Sequence, residues 1–263
     1  MPEMPDVEQC RKFVQSRALH KKISHIEVLN DKVLSSGTHP TSLNRSLNGK
    51  LFKSALRHGK HLILSTGENV CMNMHFGMTG CLRYEKETES TQSYDKLVVV
   101  FSNRDRLVYV SKRMLGRVGL CKTLSSFLSE HKLGPDALSI SEDEFIGFLS
   151  KKKTSVKQAL MDQSRIAGIG NEYSDEILFQ ARLHPLKIAA DLSEEEKHTL
   201  YYKMGEVLNF SIQNDAQSSR FPENWILKFR KSGAKCGGCG GKVEQIKVSG
   251  RTAYFCPKCQ KQK

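Results

Sequence analysis

The chain has 263 residues, of which 38% are hydrophobic, and it carries 41 Lys and Arg against 28 Asp and Glu, for a formal net charge of +13. This length fits two globular domains, or one domain with smaller modules. No run of about 18 apolar residues occurs, which excludes a membrane-spanning helix, and the first residues lack the apolar core of a signal peptide, which favours an intracellular location. The positive surplus favours a polyanionic partner, most often nucleic acid, although a surplus of Lys for solubility gives the same net charge.

The chain begins with Met1, Pro2 and Glu3. Removal of Met1 would leave Pro2 as a free secondary amine, which can attack an aldehyde carbon and form a cationic iminium. An α-amino group titrates near about 8, so the unprotonated amine is accessible at neutral pH. Glu3 can supply or remove protons at the same carbon. The pattern predicts an amine nucleophile beside an acid; the alternative is an ordinary leader before a helix.

The first half of the chain is predicted to be mainly β-structure. Apolar residues at helical spacing predict a helix over 6–19, and a short helix is predicted over 41–47. Strand-like runs bounded by turn residues fall at 23–29, 51–56, 61–65, 70–74, 96–101 and 106–110. Many short strands with tight turns are typical of a sandwich or a barrel-like domain. The polar stretch 85–94 is predicted to be a mobile loop.

The chain turns helical after the segment 133–136. Ser141 with Glu144, and Ser193 with Glu196, have the spacing of capping boxes and predict two helix starts. We place one domain boundary within 125–140 and a second change of structure at 221–225, where a proline ends the helical region.

A glycine-rich turn joins two further predicted helices. The segments 153–163 and 172–182 predict two helices, joined by a double turn that ends at Asn171. The backbone amides of such a turn and the N-terminus of the next helix attract an anion. Lys157 and Asn171 are close enough in sequence to hold the same phosphate. An ordinary helix hairpin is the alternative.

Four cysteines crowd the C-terminal end as two Cys-x-x-Cys pairs, Cys236 with Cys239 and Cys256 with Cys259. Their spacing is typical of a structural zinc site with four thiolate ligands and no open coordination position. A redox pair is the alternative. The residues between the pairs predict a β-hairpin with Arg251 at its tip, in a segment rich in Lys and Arg that suits a phosphate backbone.

Five motifs stand in one order along nearly the whole chain. They are Pro2-Glu3-Met4-Pro5-Asp6-Val7-Glu8, Arg57-His58-Gly59-Lys60, His75-Phe76-Gly77-Met78-Thr79-Gly80, Gly168-Ile169-Gly170-Asn171-x-Tyr173-x-x-Glu176, and Gly250-Arg251-Thr252-Ala253-Tyr254-Phe255-Cys256-Pro257-x-Cys259-Gln260. Together they resemble the formamidopyrimidine-DNA glycosylase and endonuclease VIII family of base-excision repair enzymes.

The resemblance implies an α+β fold with an N-terminal β-sandwich flanked by helices, a helix-two-turn-helix domain and a C-terminal zinc finger built on a β-hairpin. We therefore expect a catalytic domain at 1–125, a linker at 126–140, the helix-two-turn-helix domain at 141–225 and the finger at 226–263. The implied partner is damaged double-stranded DNA, bound by a monomer without membrane association. The implied cofactor is structural Zn²⁺.

The activity that the resemblance implies is excision of oxidised bases, followed by cleavage of the abasic site through β,δ-elimination. Pro2 would attack the sugar C1′ of an everted nucleotide and form a Schiff base, Glu3 would move protons, and Lys60 would bind phosphate and assist catalysis. Eversion is needed because an enzyme cannot reach its target inside the base stack. For Lys60, a solvated lysine at a strand end is the alternative.

The resemblance also implies DNA contacts outside the catalytic group. Arg251, Lys157 and Asn171 would grip the phosphates around the flipped nucleotide. Met78 would fill the space that eversion leaves, as an apolar wedge does, although a core position is the alternative. Arg113 would read the base opposite the lesion.

Three features depart from the oxidised-purine branch of the family. Leu115 replaces an aromatic residue, Asp6 replaces a glutamate, and the segment 214–223 lacks the usual glycine-rich capping loop. Oxidised purines, formamidopyrimidines and oxidised pyrimidines therefore all remain candidate lesions.

Two other functions compete with this one. A non-catalytic damaged-DNA-binding protein would keep the same clamp, but the presence of Pro2, Glu3 and Lys60 argues against it. A zinc-ribbon factor for RNA or transcription would explain the finger and the charge, but it leaves the first 225 residues without a role.

Overall fold

The structure is a computed structural model and describes residues 2–262. The chain divides into two compact units, Met1–Lys132 and Leu133–Lys263. Within the described residues, none of the helices combines the length and the apolar character that crossing a bilayer requires.

The first unit is a β-sandwich with helices. In chain order it contains α1 (Met4–Arg17), β1 (Ile23–Val28), α2 (Pro40–Leu47), β2 (Ser54–His58), β3 (His61–Ser65), β4 (Cys71–His75), β5 (Gly80–Lys86), β6 (Asp95–Phe101), β7 (Asp105–Ser111), β8 (Arg117–Cys121) and α3 (Leu124–Glu130). The strands form two antiparallel sheets, ordered β1-β6-β7-β5 and β2-β3-β4-β8. Apolar side chains from both sheets and from α1 share one buried core, which includes Val14, Leu64 and Leu97. The predicted sandwich is confirmed.

Strands β5 and β8 were not predicted. Charged residues such as Arg83 and Glu85 give β5 a polar pattern, which is why the sequence suggested a mobile loop from residue 85 onward. In the folded unit these charges are paired: Arg83 Nη2 donates to Asp95 Oδ2 at 2.8 Å, and Arg106 pairs with Glu85. Because its charges have partners on β6 and β7 of the same sheet, this polar segment is stable as a strand.

The second unit is helical and ends in a hairpin. In chain order it contains α4 (Glu142–Ser150), α5 (Val156–Leu160), α6 (Asn171–Gln180), α7 (Glu194–Gln213), β9 (Glu244–Val248) and β10 (Arg251–Phe255). Ser141 Oγ accepts from the Glu144 amide at 3.3 Å and Ser193 Oγ accepts from the Glu196 amide at 3.2 Å, so both predicted capping boxes are confirmed. Helix α5 is shorter than the predicted 153–163: it begins only after Ser155, whose side chain caps it, and it ends at Leu160.

The hairpin turns where the sequence predicts it. β9 and β10 pair antiparallel, with Val248 opposite Arg251. The two residues between them, Ser249 and Gly250, have φ values of 48° and 78°. Positive φ at both turn residues is the geometry of the tightest hairpins, in which glycine is favoured. Arg251 therefore directly follows the turn.

A cluster of histidines lies at one end of the first unit. The ring centroids of His61 and His75 are 4.9 Å apart, and the ring of Phe127 lies 5.1 Å from that of His61. Burial, reinforced by neighbouring positive and titratable groups, lowers the pKa of His61 to about 3 and the pKa of His75 to about 4. Both rings are therefore neutral in the folded unit at physiological pH.

These two rings make the stability of the first unit depend on pH. In the unfolded chain a histidine titrates near about 6.5. Below about pH 6.5 the unfolded state binds protons that the folded unit does not. The stabilising contribution of the neutral rings is therefore complete above about pH 6.5 and is lost as the pH falls towards about 4.

We expect His61→Gln to lose less unfolding free energy than the unchanged protein between about pH 7 and about pH 4.5, measured by urea titration.

His20→Asn is the matched control, because His20 is exposed and its φ of 61° suits asparagine. An equal acid-induced loss in the His61 variant and in the unchanged protein would contradict the role of the buried ring.

Candidate functional site

The N-terminal catalytic candidates lie at the start of α1. Pro2 is half-buried, and Glu3, which directly precedes the helix, is 1% exposed. The backbone amide of Glu3 donates to Asp6 Oδ2 at 2.9 Å, which holds the Glu3 backbone against the first turn of the helix. Met1, whose removal would free the Pro2 nitrogen, lies outside the described residues.

Lys60 occupies the turn between β2 and β3 and is 8% exposed, so it is not a solvated strand-end lysine. Helix α1 packs against both of these strands. Arg57 fastens the turn to the helix, since its Nε donates to Glu8 Oε2 at 3.1 Å and its Nη1 donates to Gly59 O at 3.3 Å. Burial alone would raise the pKa of Glu8, but Arg11 and Arg57 hold it below the ordinary value, so this carboxylate is ionised.

Two glycine-containing loops, at residues 76–79 and 112–116, present apolar side chains to solvent. Met78 is 42% exposed and Leu115 is 49% exposed, so the alternative that Met78 belongs to the core is wrong. Gly77 has a φ of 61°, and a Cβ there would lie 2.4 Å from the backbone nitrogen of Gly116. The two loops can therefore approach this closely only because residue 77 has no side chain.

Arg113 lies in the second of these loops and is exposed. Its backbone amide donates to Thr79 Oγ1 at 3.1 Å, which ties it to the loop that carries Met78. Below the loops, Tyr109 Oη donates to His75 O at 2.9 Å, and the Tyr109 ring stacks on Phe76. The loop that carries Met78 is thus bonded and packed against the sandwich.

In the second unit, the glycine-rich turn and the hairpin meet. Asn171 begins α6, and its Nδ2 donates to Thr252 O in β10 at 3.0 Å. Arg251 directly precedes Thr252 in β10, and its Nη1 lies 3.2 Å from Met161 Sδ. The structure therefore brings Asn171 and Arg251, which come from distant parts of the sequence, to one place.

Lys157 is placed differently from the expectation. Its side chain has no exposed surface, and its Nζ donates to Asn171 O at 2.9 Å, Ser174 Oγ at 2.6 Å and Asp175 Oδ1 at 2.7 Å. A direct phosphate contact does not fit this geometry, because the ammonium would have to leave a buried carboxylate. The arrangement instead makes Lys157 a support for the start of α6.

Asp175 and Arg230 are the two residues at this place that sequence reasoning did not single out. Arg230 Nε donates to Asp175 Oδ2 at 2.9 Å. Arg230 lies outside the five motifs, and Asp175 is an unspecified position within one of them, so no sequence signal marked either residue. Only the fold shows that they meet.

The four cysteines converge as the sequence predicts. Their sulfur atoms all lie within 4.8 Å of one another, with 3.5 Å between Cys239 and Cys256 and 3.9 Å between Cys236 and Cys259. Tetrahedral Zn²⁺ with Zn–S bonds of about 2.3 Å separates its sulfur ligands by about 3.8 Å. The four thiols fit structural Zn²⁺, and all four cysteines are free rather than joined in disulfides.

The sandwich, the glycine-rich double turn and the four-cysteine finger define a zinc-containing DNA glycosylase. Three family models match the chain in this order: formamidopyrimidine-DNA glycosylase N-terminal domain over residues 1–118, formamidopyrimidine-DNA glycosylase H2TH domain over 133–223, and zinc finger found in FPG and IleRS over 233–262. The zinc-ribbon alternative is therefore wrong, since most of the first 225 residues match glycosylase domains.

Individual relatives agree with the family models. A formamidopyrimidine-DNA glycosylase of Arabidopsis thaliana is 36% identical over 99% of this chain and 71% of its own length, and one of Lactococcus lactis is 32% identical over 99% of both chains. The crystal structure of Lactococcus lactis FPG with FAPY-dG-containing DNA superposes with a TM-score of 0.91, at 30% identity over 99% of this chain and 100% of that one. The chain belongs to the formamidopyrimidine-DNA glycosylase family.

The zinc site generates a direct test. We expect Cys256→Ser to lose bound zinc and to unfold the hairpin, because a structural zinc contributes about 10–16 kcal/mol of folding free energy to a small finger. The first unit should remain folded. Zinc content by atomic absorption and amide hydrogen exchange over the hairpin would measure both effects.

Cys81→Ser is the matched control, because Cys81 is an exposed thiol outside the cluster. Full zinc content and a protected hairpin in the Cys256 variant would show that the four thiols are not the metal site.

Proposed function

We propose that this glycosylase binds damaged double-stranded DNA, excises oxidised bases and then cleaves the abasic site by β,δ-elimination. The single observation that carries the chemistry is the arrangement at the start of α1, where Pro2 adjoins the buried Glu3 and the turn of Lys60 is fastened to the same helix. Solved complexes of Lactococcus lactis Fpg with FAPY-dG-containing and abasic-site-containing DNA support the substrate class.

Pro2 is the proposed nucleophile once Met1 has been removed. Its nitrogen bonds to C1′ of the everted nucleotide, and the damaged base leaves with the electron pair of the glycosidic bond and takes up a proton. The bond from C1′ to the ring oxygen then breaks, and the ring oxygen takes up the proton that the proline nitrogen loses, which yields an iminium at C1′. This cation accepts electrons when a proton leaves C2′ and the 3′ phosphate departs. Loss of a further proton expels the 5′ phosphate, and water releases Pro2.

Glu3 and Lys60 are proposed to serve this sequence of steps. Several of these steps move a proton at C1′ or at an adjacent atom, and Glu3 is the carboxyl group next to the nucleophile in the sequence. Lys60 lies in a turn that is tied to the helix and is largely shielded from water. A cation there interacts more strongly with a phosphate than a fully solvated lysine does.

Each unit is proposed to supply some of the remaining contacts with DNA. In the first unit, Met78 and Leu115 supply exposed apolar surface for the space that eversion leaves, and Arg113 is proposed to read the opposite base. In the second unit, Asn171 and Arg251 are proposed to grip a phosphate. We further propose that the enzyme acts as a monomer. We also place it inside the cell, where the free thiols outside the four-cysteine cluster stay reduced.

Borohydride trapping tests the nucleophile. Hydride reduces an iminium to a stable amine, so the unchanged protein should become covalently joined to abasic DNA. We expect Pro2→Gly to reduce trapping about tenfold, because the primary amine that it leaves forms an imine that is cationic only when protonated, whereas the proline iminium is always cationic. The covalent product would be quantified by denaturing gel.

Lys60→Met is the comparison variant, since Lys60 is the other amine of the site. Normal trapping by Pro2→Gly together with none by Lys60→Met would transfer the nucleophile to the lysine. Absence of trapping in the unchanged protein, with normal binding of damaged duplex, would favour the non-catalytic DNA-binding protein.

The close approach of the two loops gives another test. Gly77→Ala places a methyl group against the backbone of residues 115 and 116, and a non-glycine residue with left-handed backbone costs about 1–2 kcal/mol in addition. We expect this variant to separate the loops, displace Met78 and weaken binding of damaged duplex about tenfold or more. Fluorescence anisotropy with an uncleavable abasic analogue would measure it.

Gly147→Ala is the matched control, because a Cβ at Gly147 meets nothing within 4 Å. If both alanine variants bind damaged duplex as tightly as the unchanged protein, these loops do not contribute to recognition.

A further inference from the structure

The second unit contains a cluster of three charged side chains, of which Asp175 and Lys157 are buried and Arg230 is half-buried. Asp175, on α6, has no exposed side-chain surface and lies between two cations. Lys157 Nζ reaches its Oδ1 at 2.7 Å, and Arg230 Nε reaches its Oδ2 at 2.9 Å. Such charge-assisted hydrogen bonds are short and directional, so they fix the relative position of the segments that carry them.

The same cluster holds the hairpin. Asp175 Oδ2 also accepts from the backbone amide of Tyr254 at 3.2 Å, and Arg230 Nη2 lies 3.5 Å from Thr252 O. The Arg230 guanidinium lies 4.7 Å from the centre of the Tyr254 ring. One buried carboxylate therefore joins α5, α6, the segment that contains Arg230 and β10.

This attachment lies along β10, between the cysteine cluster and the turn of the hairpin. β10 leads directly into Cys256, so the metal fixes one end of the strand, while Arg251 stands at the other end. A hairpin of two five-residue strands is marginally stable by itself. The position of Arg251 beside Asn171 therefore needs a second anchor, and the bonds of Asp175 and Arg230 to residues 252 and 254 supply it.

We propose that Asp175 and Arg230 are positioning residues for DNA binding, which hold β10 on α6 so that Arg251 and Asn171 meet the same phosphate. The inference rests on the phosphate-binding role proposed above for Arg251. Lys157 completes the cluster by bonding both Asp175 and the backbone of Asn171. Neither Asp175 nor Arg230 is required to touch the DNA.

Two variants test the proposal by different changes. Arg230→Gln removes the bond to Thr252 O but keeps the buried pair of Asp175 and Lys157, so the unit should fold. Asp175→Asn keeps the size of the side chain and removes the charge that holds both cations. For each folded variant we expect the Kd for duplex with an uncleavable abasic analogue to rise about tenfold, with unchanged zinc content.

Arg45→Gln is the control for the loss of one positive charge, since Arg45 is exposed on α2 in the other unit. It should change Kd less than about twofold. The rate of borohydride trapping at saturating DNA should also stay normal in Arg230→Gln, because a binding defect is overcome by concentration and a defect in the chemistry is not.

A double-mutant cycle separates positioning from an independent contact. In an Arg251→Ala background, Arg230→Gln should weaken binding by less than about twofold further, because the side chain that it positions is already gone. Multiplication of the two single effects would show that Arg230 acts on its own and would overturn the inference.

The remaining outcomes distinguish this inference from the proposed function. Normal binding by Arg230→Gln beside weakened binding by Arg251→Ala would refute the positioning role alone. Normal binding by Arg251→Ala would refute the phosphate contact itself and the positioning role with it. If Asp175→Asn does not fold, the Arg230 and Arg251 variants decide between these outcomes.

Discussion

A largely buried carboxylate paired with an arginine lies behind the candidate functional residues of each unit. In the first unit, Glu8 on α1 holds Arg57, and Arg57 holds the turn of Lys60. In the second unit, Asp175 on α6 holds Arg230 and the hairpin strand that carries Arg251. In both places a helix supplies the acid, and a segment far away in the sequence supplies the arginine.

Ion pairs of this kind fix the relative positions of the segments that they join more than they add to net stability. Removing charges from water is costly, and an apolar replacement of similar volume is often as stable as a buried ion pair. A salt bridge, however, is satisfied only in a narrow range of distances and angles. For side chains that must meet phosphates or a sugar carbon, that restriction is useful, because small displacements of reacting groups reduce rates strongly.

The two units have different roles in the proposed reaction. The first unit contains the amine, the acid and the exposed apolar loops, all supported by a closed sandwich core. The second unit contains the zinc finger and the glycine-rich turn, whose backbone and side chains suit an anionic partner. The surplus of positive charge, +13 in all, adds long-range attraction for such a partner.

Local patterns in the sequence determined much of this description. Cysteine spacing predicted the zinc site, capping boxes predicted α4 and α7, and the ordered motifs indicated the family, because each of these signals depends on neighbours along the chain. Tertiary structure alone decided that the polar strand β5 joins a sheet, that Lys157 is buried and that Asp175 meets Arg230. The reason is physical: the environment of a charged side chain is set by partners from distant segments, and no local pattern records which of them the fold will bring within reach.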